Sequence, residues 1–231
     1  MDKIIILHPS IDIREDIACV GFRQQVVRNG RIESENVHIL SDEDGITSTA
    51  KETFAFDSRQ YVFESKHLAS GTVDLEALKA WASNPTPSAP YQMYQNLKTT
   101  LRTYIELPEY SYSLLSAWIM GTYFYVTFPS YPYLSFLGPK ETGKSNTLEC
   151  LRNLCFNAVK TKLTLASLCD TADSLRGTIL IDQAHNLEGE LKEILVDGYK
   201  KGGGKRRFCL HLVGYPRIIS ALIAGGNLWH H

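Results

Sequence analysis

Apolar and polar positions alternate through much of the first 80 residues, then give way to longer apolar stripes at helical spacing. Ile17 to Arg28 (IACVGFRQQVVR) runs into Asn29-Gly30 and on to Arg31-Ile32-Glu33. Asn-Gly permits positive φ at both centres of a two-residue turn, so the segment predicts a β-hairpin. Thr53 to Glu64 sets Phe54, Phe56, Tyr61 and Phe63 at alternating positions, which predicts one or two half-buried strands. From Val73 to Trp81, Leu75, Leu78 and Trp81 share a helical face. Met93, Leu97, Leu101, Tyr104 and Ile105 define a second helix that ends before Pro108, and Leu114 to Tyr125 reads as a buried helix. Tyr133 to Leu137 and Gly177 to Asp182 are apolar runs of strand length, and between them Thr147 to Phe156 carries Leu148, Leu151 and Cys155 on one helical face. Beyond Asp182, Leu187, Leu191, Ile194 and Leu195 predict a short helix ending near Gly198, and Ile218 to Ala224 a further buried strand.

Residues 82–90 (ASNPTPSAP) carry three prolines and almost no large apolar side chain, the composition of an extended linker. The predicted organisation is a small β-rich domain over 1–81, the Pro-rich linker, and a second domain over 91–231. The chain of 231 residues has 44% hydrophobic and 21% charged residues, enough for an ordinary core without metals or disulfides. Its 24 Lys+Arg against 25 Asp+Glu exclude a polyelectrolyte arm and leave any nucleic-acid contact to a local patch. Five cysteines with no C-x-x-C suit a reducing, cytoplasmic setting, and the apolar run before His8 and Pro9 is too short for a signal-peptide core. No charged residue lies between Glu109 and Lys140, so a membrane span has to be weighed; Pro129, Pro132 and the frequent Ser and Tyr count against it, and no membrane is expected.

The chemistry concentrates after Leu137. Gly138-Pro139-Lys140-Glu141-Thr142-Gly143-Lys144-Ser145 satisfies G-x-x-x-x-G-K-[ST], with an apolar strand before it and a helix after it. Glycines let backbone N–H groups curl around phosphate oxygens, the helix N-terminus adds positive potential, Lys144 reaches the terminal phosphates and Ser145 holds magnesium. The bland alternative is a glycine-rich turn before a helix. Asp182, ending an apolar run, suits a magnesium-bridging carboxylate beside Ser145, or else caps the next helix. Together these features predict an α/β fold: a P-loop NTPase core with a mostly parallel sheet, preceded by the small β-rich domain. ATP and magnesium are the expected ligands.

From Tyr112 to about Ala224 the sequence resembles the P-loop helicase/primase-like ATPases of phages, plasmids and other mobile elements, near the superfamily-three and AAA+ group. The resemblance rests on LLSAWIMGTYFYVTFPSYPYLSFLGPKETGKS, LASLCDTADSLRGTILIDQAH and ELKEILVDGYKKGGGKRRF. It implies a helicase-like protein that couples ATP to DNA handling in mobile-element replication and assembles as a homo-oligomeric ring. Where the group has Asp-Glu, this chain has Asp182-Gln183. An amide orients water but accepts a proton very poorly, so binding is expected to survive while hydrolysis weakens. Gln-assisted phosphoryl transfer exists in small GTPases, and His185 or Glu188 are further candidates.

Lys200, Lys201, Lys205, Arg206 and Arg207 surround three consecutive glycines, in the interval where the group's channel hairpin grips nucleic acid. A solvated surface loop explains them equally well. Asn227 stands at the group's γ-phosphate sensor position, or is a turn asparagine after two glycines. The sequence ends at His231 without the group's arginine finger or lid, so an incomplete motor, or a nucleotide-binding regulatory module without motor activity, is also expected.

Overall fold

In the computed structural model, residues 4–14, 16–43, 45–56, 59–64, 75–139, 142–161, 171–172 and 175–182 are described. The chain divides into two units, Met1–Pro87 and Ser88–His231. The first is built from β1 (Ile5–Leu7), β2 (Ile11–Ile13), β3 (Ala18–Arg28), β4 (Arg31–Ser41), β5 (Ile46–Thr49), β6 (Thr53–Phe56), β7 (Arg59–Phe63) and α1 (Leu75–Ser83). The second holds α2 (Pro90–Tyr104), α3 (Glu109–Thr122), a single 3-10 turn at Tyr125–Thr127, α4 (Lys144–Leu154), β8 (Val159–Thr161) and β9 (Ile179–Ile181).

Asn29 (φ 52°) and Gly30 (φ 74°) both take positive φ, as a two-residue hairpin turn requires, and β3 pairs with β4 from Ala18↔Ser41 to Arg28↔Arg31. The resulting antiparallel sheet has the order β2-β3-β4-β5, and a mixed sheet has the order β1-β7-β6, with β1 parallel to β7. Period-two alternation gives the larger sheet two apolar faces. Cys19 and Leu40 join Leu7, Tyr61 and Phe63 of the mixed sheet in one core cluster. On the opposite face, Val37 and Ile39 pack with Ala82 and Leu78 of α1. Gly21 sits where a Cβ would lie 2.0 Å from the Pro9 carbonyl oxygen, so only glycine fits that crossing.

In the second unit, Pro90 opens α2, where its missing N–H leaves no hydrogen bond unmade. The Tyr112 hydroxyl donates to the Ile105 carbonyl (3.0 Å) and accepts the Leu107 N–H (2.9 Å), pinning the turn from α2 into α3. Leu101, Leu115, Ile119, Leu134, Phe136, Leu148, Leu151 and Leu180 belong to one buried cluster. Helix α3 has 14 residues, about 21 Å at 1.5 Å per residue, and among the described residues no helix is long and apolar enough to cross a membrane.

The expected P-loop NTPase core with a mostly parallel sheet is overturned. Among the described residues most strand pairs are antiparallel, and the parallel pairing in the second unit is a single ladder of three residues per strand, β8 with β9. Tyr133–Leu137, expected as the strand that leads into the phosphate loop, joins no sheet among the described residues. The cause is visible in its partners. Pro129 and Pro132 have no N–H to give a ladder, and side chains of α3 fasten the segment instead. Trp118 Nε1 donates to the Pro132 carbonyl (2.9 Å), and the Tyr131 hydroxyl donates to the Trp118 carbonyl (2.5 Å). Leu134, Ser135 and Phe136 are all buried in succession, a pattern that a strand covered on both faces would share.

Candidate functional site

The chain surfaces after Phe136. Leu137, Gly138 and Pro139 are exposed, and the Thr142 hydroxyl donates to the Pro139 carbonyl (3.0 Å), folding the loop back on itself. A Cβ on Gly138 would approach the Thr142 hydroxyl at 3.1 Å, so glycine leaves room for this closure. Gly143 (φ 78°, ψ 7°) then turns the backbone through the left-handed region into α4. It is the N-cap of that helix and supplies no side-chain hydrogen bond, so no capping side chain meets the first N–H groups of α4. The positive end of the helix faces the loop.

Lys144, the first residue of α4, folds across the same loop. Its Nζ donates to the Gly138 carbonyl (2.9 Å), the Pro139 carbonyl and the Thr142 hydroxyl (3.1 Å), three oxygens for three ammonium protons. Ser145 follows and is exposed. The other face of α4 anchors the loop, with Thr147, Leu148 and Leu151 buried. Tyr123 at the end of α3 donates its hydroxyl to the Leu154 carbonyl (3.1 Å).

Asp182 follows β9, whose three residues are buried. Its Oδ2 lies 2.9 Å from Lys160 Nζ, and both side chains are about two-fifths exposed, at 36% and 40%. Lys160 stands on β8 opposite Leu180 in the parallel register. It is absent from the residues that the sequence pattern singles out, since a lone cation in a three-residue strand carries no spacing signal. Leu134 and Phe136 before the loop, Leu148 and Leu151 after it, and Leu180 before Asp182 share one core, so loop and carboxylate are carried by the same packed unit.

Thus Gly138, Pro139, Thr142, Gly143 and Lys144 come together in one closed loop, with Ser145 at its exit. Lys140, Glu141, Gln183, Lys200, Lys201, Lys205, Arg206, Arg207 and Asn227 lie outside the described residues. Among the described residues, the buried thiols of Cys19 and Cys155 are not alternatives for the chemistry. Burial pushes Cys155 far up, and burial followed by the Asp12 carboxylate pushes Cys19 up to about 12, so both stay protonated and inert.

An uncapped helix N-terminus, a left-handed glycine and an ammonium beside surface carbonyls form a place for anionic oxygens. One hydroxyl and one carboxylate, Ser145 and Asp182, are hard oxygen donors of the kind magnesium uses when phosphates and water complete its shell. No protein-family model matches the sequence, and no curated protein is significantly similar to it.

Proposed function

We propose that the second unit binds ATP with magnesium through Gly138–Ser145 and serves a helicase-like protein that couples nucleotide to DNA handling in mobile-element replication. The observation that carries the nucleotide reading is the closed loop itself: Gly143 at positive φ leads into an uncapped helix start, with Lys144 held by loop oxygens. In this reading the N–H groups at the start of α4 take the phosphate oxygens, and Lys144 swings from the Gly138 carbonyl to the terminal phosphates. Ser145 and Asp182 would hold magnesium, whose chemistry is to neutralise charge between the β- and γ-phosphates. Asp182 leaves Lys160 to do so. The proposal concerns the loop and its ligands, independent of sheet order. Lys144→Ala should abolish ATP binding measured by calorimetry, and unchanged affinity would refute it.

A second reading, a nucleotide-binding regulatory module without motor activity, draws on the Lys160–Asp182 ion pair. A carboxylate engaged by a lysine is a poorer ligand for a metal until that pair opens, which suits binding followed by slow or absent turnover. Gln183 in place of glutamate points the same way.

A further inference from the structure

The β3–β4 hairpin is longer than the sheet that carries it. β2 covers β3 at Ala18–Val20, and β5 covers β4 at His38–Ser41, which among the described residues leaves Arg23–Arg28 and Arg31–Asn36 paired only with each other. At about 3.4 Å per residue these six pairs make a two-stranded arm of roughly 20 Å. Burial follows the same division: Val37–Leu40 are buried while Arg31–Ser34 are exposed. Helix α1 meets the arm through Lys79, which pairs with Glu35 at 2.9 Å.

The tip is built unfavourably for water on both faces. Val27 and Ile32 are direct cross-strand partners and each is 73% exposed. Arg28 and Arg31 are also direct partners, and like charges opposite one another destabilise a ladder. Glu35 offsets Arg28 at 3.0 Å but is shared with Lys79. An isolated two-stranded ribbon is marginal in water even without these burdens. Both are relieved by a partner that is anionic at its walls and apolar between them. The groove of a nucleic-acid duplex offers both, with phosphates on either side and base edges and thymine methyl groups between them. Its major groove, about 12 Å wide, admits a two-stranded ribbon whose apolar side chains can meet those methyl groups. Register puts Arg23, Ser34 and Asn36 on the same side as Val27 and Ile32, with the Arg23 guanidinium donating to the Ser34 hydroxyl at 2.9 Å. Hydrogen-bonding groups along this side match base edges and phosphates down a groove, whereas two cations next to the turn and a single apolar pair leave little apolar area to bury in a bilayer.

We propose that the β3–β4 arm is a duplex-binding element whose tip, Val27–Ile32, enters a groove of double-stranded nucleic acid, with Arg28 and Arg31 on the flanking phosphates. This does not rest on the phosphate loop. The test is fluorescence anisotropy of the full chain with a short mixed-sequence DNA duplex and its single strand, beside sedimentation with phosphatidylserine-containing vesicles. Arg28→Gln with Arg31→Gln should weaken duplex binding at least about tenfold and lower the salt slope by about 1.8, two phosphate contacts at 0.9 each. Arg28→Lys with Arg31→Lys should restore most of both. Val27→Thr with Ile32→Thr, which keeps the β-branched shape, should weaken duplex binding more than single-strand binding and leave the salt slope unchanged. Unaltered duplex affinity in the two disruptive pairs, no duplex binding by the wild type, or equal losses on duplex and single strand would overturn the proposal. So would vesicle binding that these pairs abolish while duplex binding stays intact. Duplex binding is read without nucleotide and ATP binding by calorimetry without DNA, so failure of the ATP reading and failure of this one remain separate.

Discussion

Lowering the pH should destabilise the first unit through one buried imidazole. His38 on β4 is 4% exposed, and its ring stacks on Phe63 at 3.8 Å between centroids and 16° between planes. Burial pushes its pKa down from 6.5 to about 4, with the Thr49 backbone acting in the opposite direction. The folded protein therefore holds the neutral ring, whereas the unfolded chain takes up a proton near pH 6.5. The contribution is fully present above that value and is lost as the pH falls through the window toward about 4. At about pH 5 the unfolded ring is nearly all protonated and the folded ring nearly all neutral, a difference worth about 2 kcal/mol. Against a typical total of about 5–15 kcal/mol this is readily measured. Urea unfolding followed by far-ultraviolet circular dichroism, near pH 7.5 and near pH 5, gives the loss for the wild type and for His38→Leu. The wild type should lose about 2 kcal/mol more than the variant, because carboxylate titrations common to both cancel. Equal losses would refute the assignment of this window to His38.

Two further outcomes test the site. Lys160→Ala should barely move the unfolding midpoint, because an ion pair between half-exposed groups contributes at most about 1 kcal/mol, yet it should raise ATP affinity in magnesium about twofold to fivefold by freeing Asp182; a fall in affinity would show that Lys160 itself serves the nucleotide. Gln183→Glu should raise weak ATP turnover, toward the roughly 10²–10⁴-fold that general-base catalysis typically supplies, and brisk wild-type turnover that the substitution leaves unchanged would count against this account of Gln183.

What the sequence made legible was what local chemistry decides. Asn29-Gly30 specifies its turn because the turn needs positive φ at two adjacent residues, whatever surrounds them. Gly143 and the start of α4 are readable for the same reason. The run Tyr133–Leu137 misled because strand and extended coil share an apolar pattern when both sides are buried. Contacts beyond the run separate the two: Trp118 on α3 is hydrogen-bonded to Tyr131 and Pro132, the residues that lead into it. The pairing of Ile5–Leu7 with Tyr61–Phe63, and of Lys160 with Asp182, likewise joins residues whose spacing carries no local signal.

The overturned sheet therefore leaves the loop argument standing on its own terms. A phosphate oxygen needs donors, and the donors at Gly143–Ser145 are set by one left-handed residue and one helix start, both anchored through Leu148 and Leu151 to the core. Lys144 already spans the loop, but its present acceptors are neutral carbonyls and a hydroxyl near the surface. A phosphate is a stronger partner, since its negative charge adds ion-pair attraction to the hydrogen bond that a neutral oxygen cannot supply. The carbonyl oxygens of Gly138 and Pro139 are exposed enough for water to replace the ammonium when it leaves. The resting contact thus holds the lysine in place without trapping it, a geometry that favours exchange for an anionic ligand over a permanent structural bond.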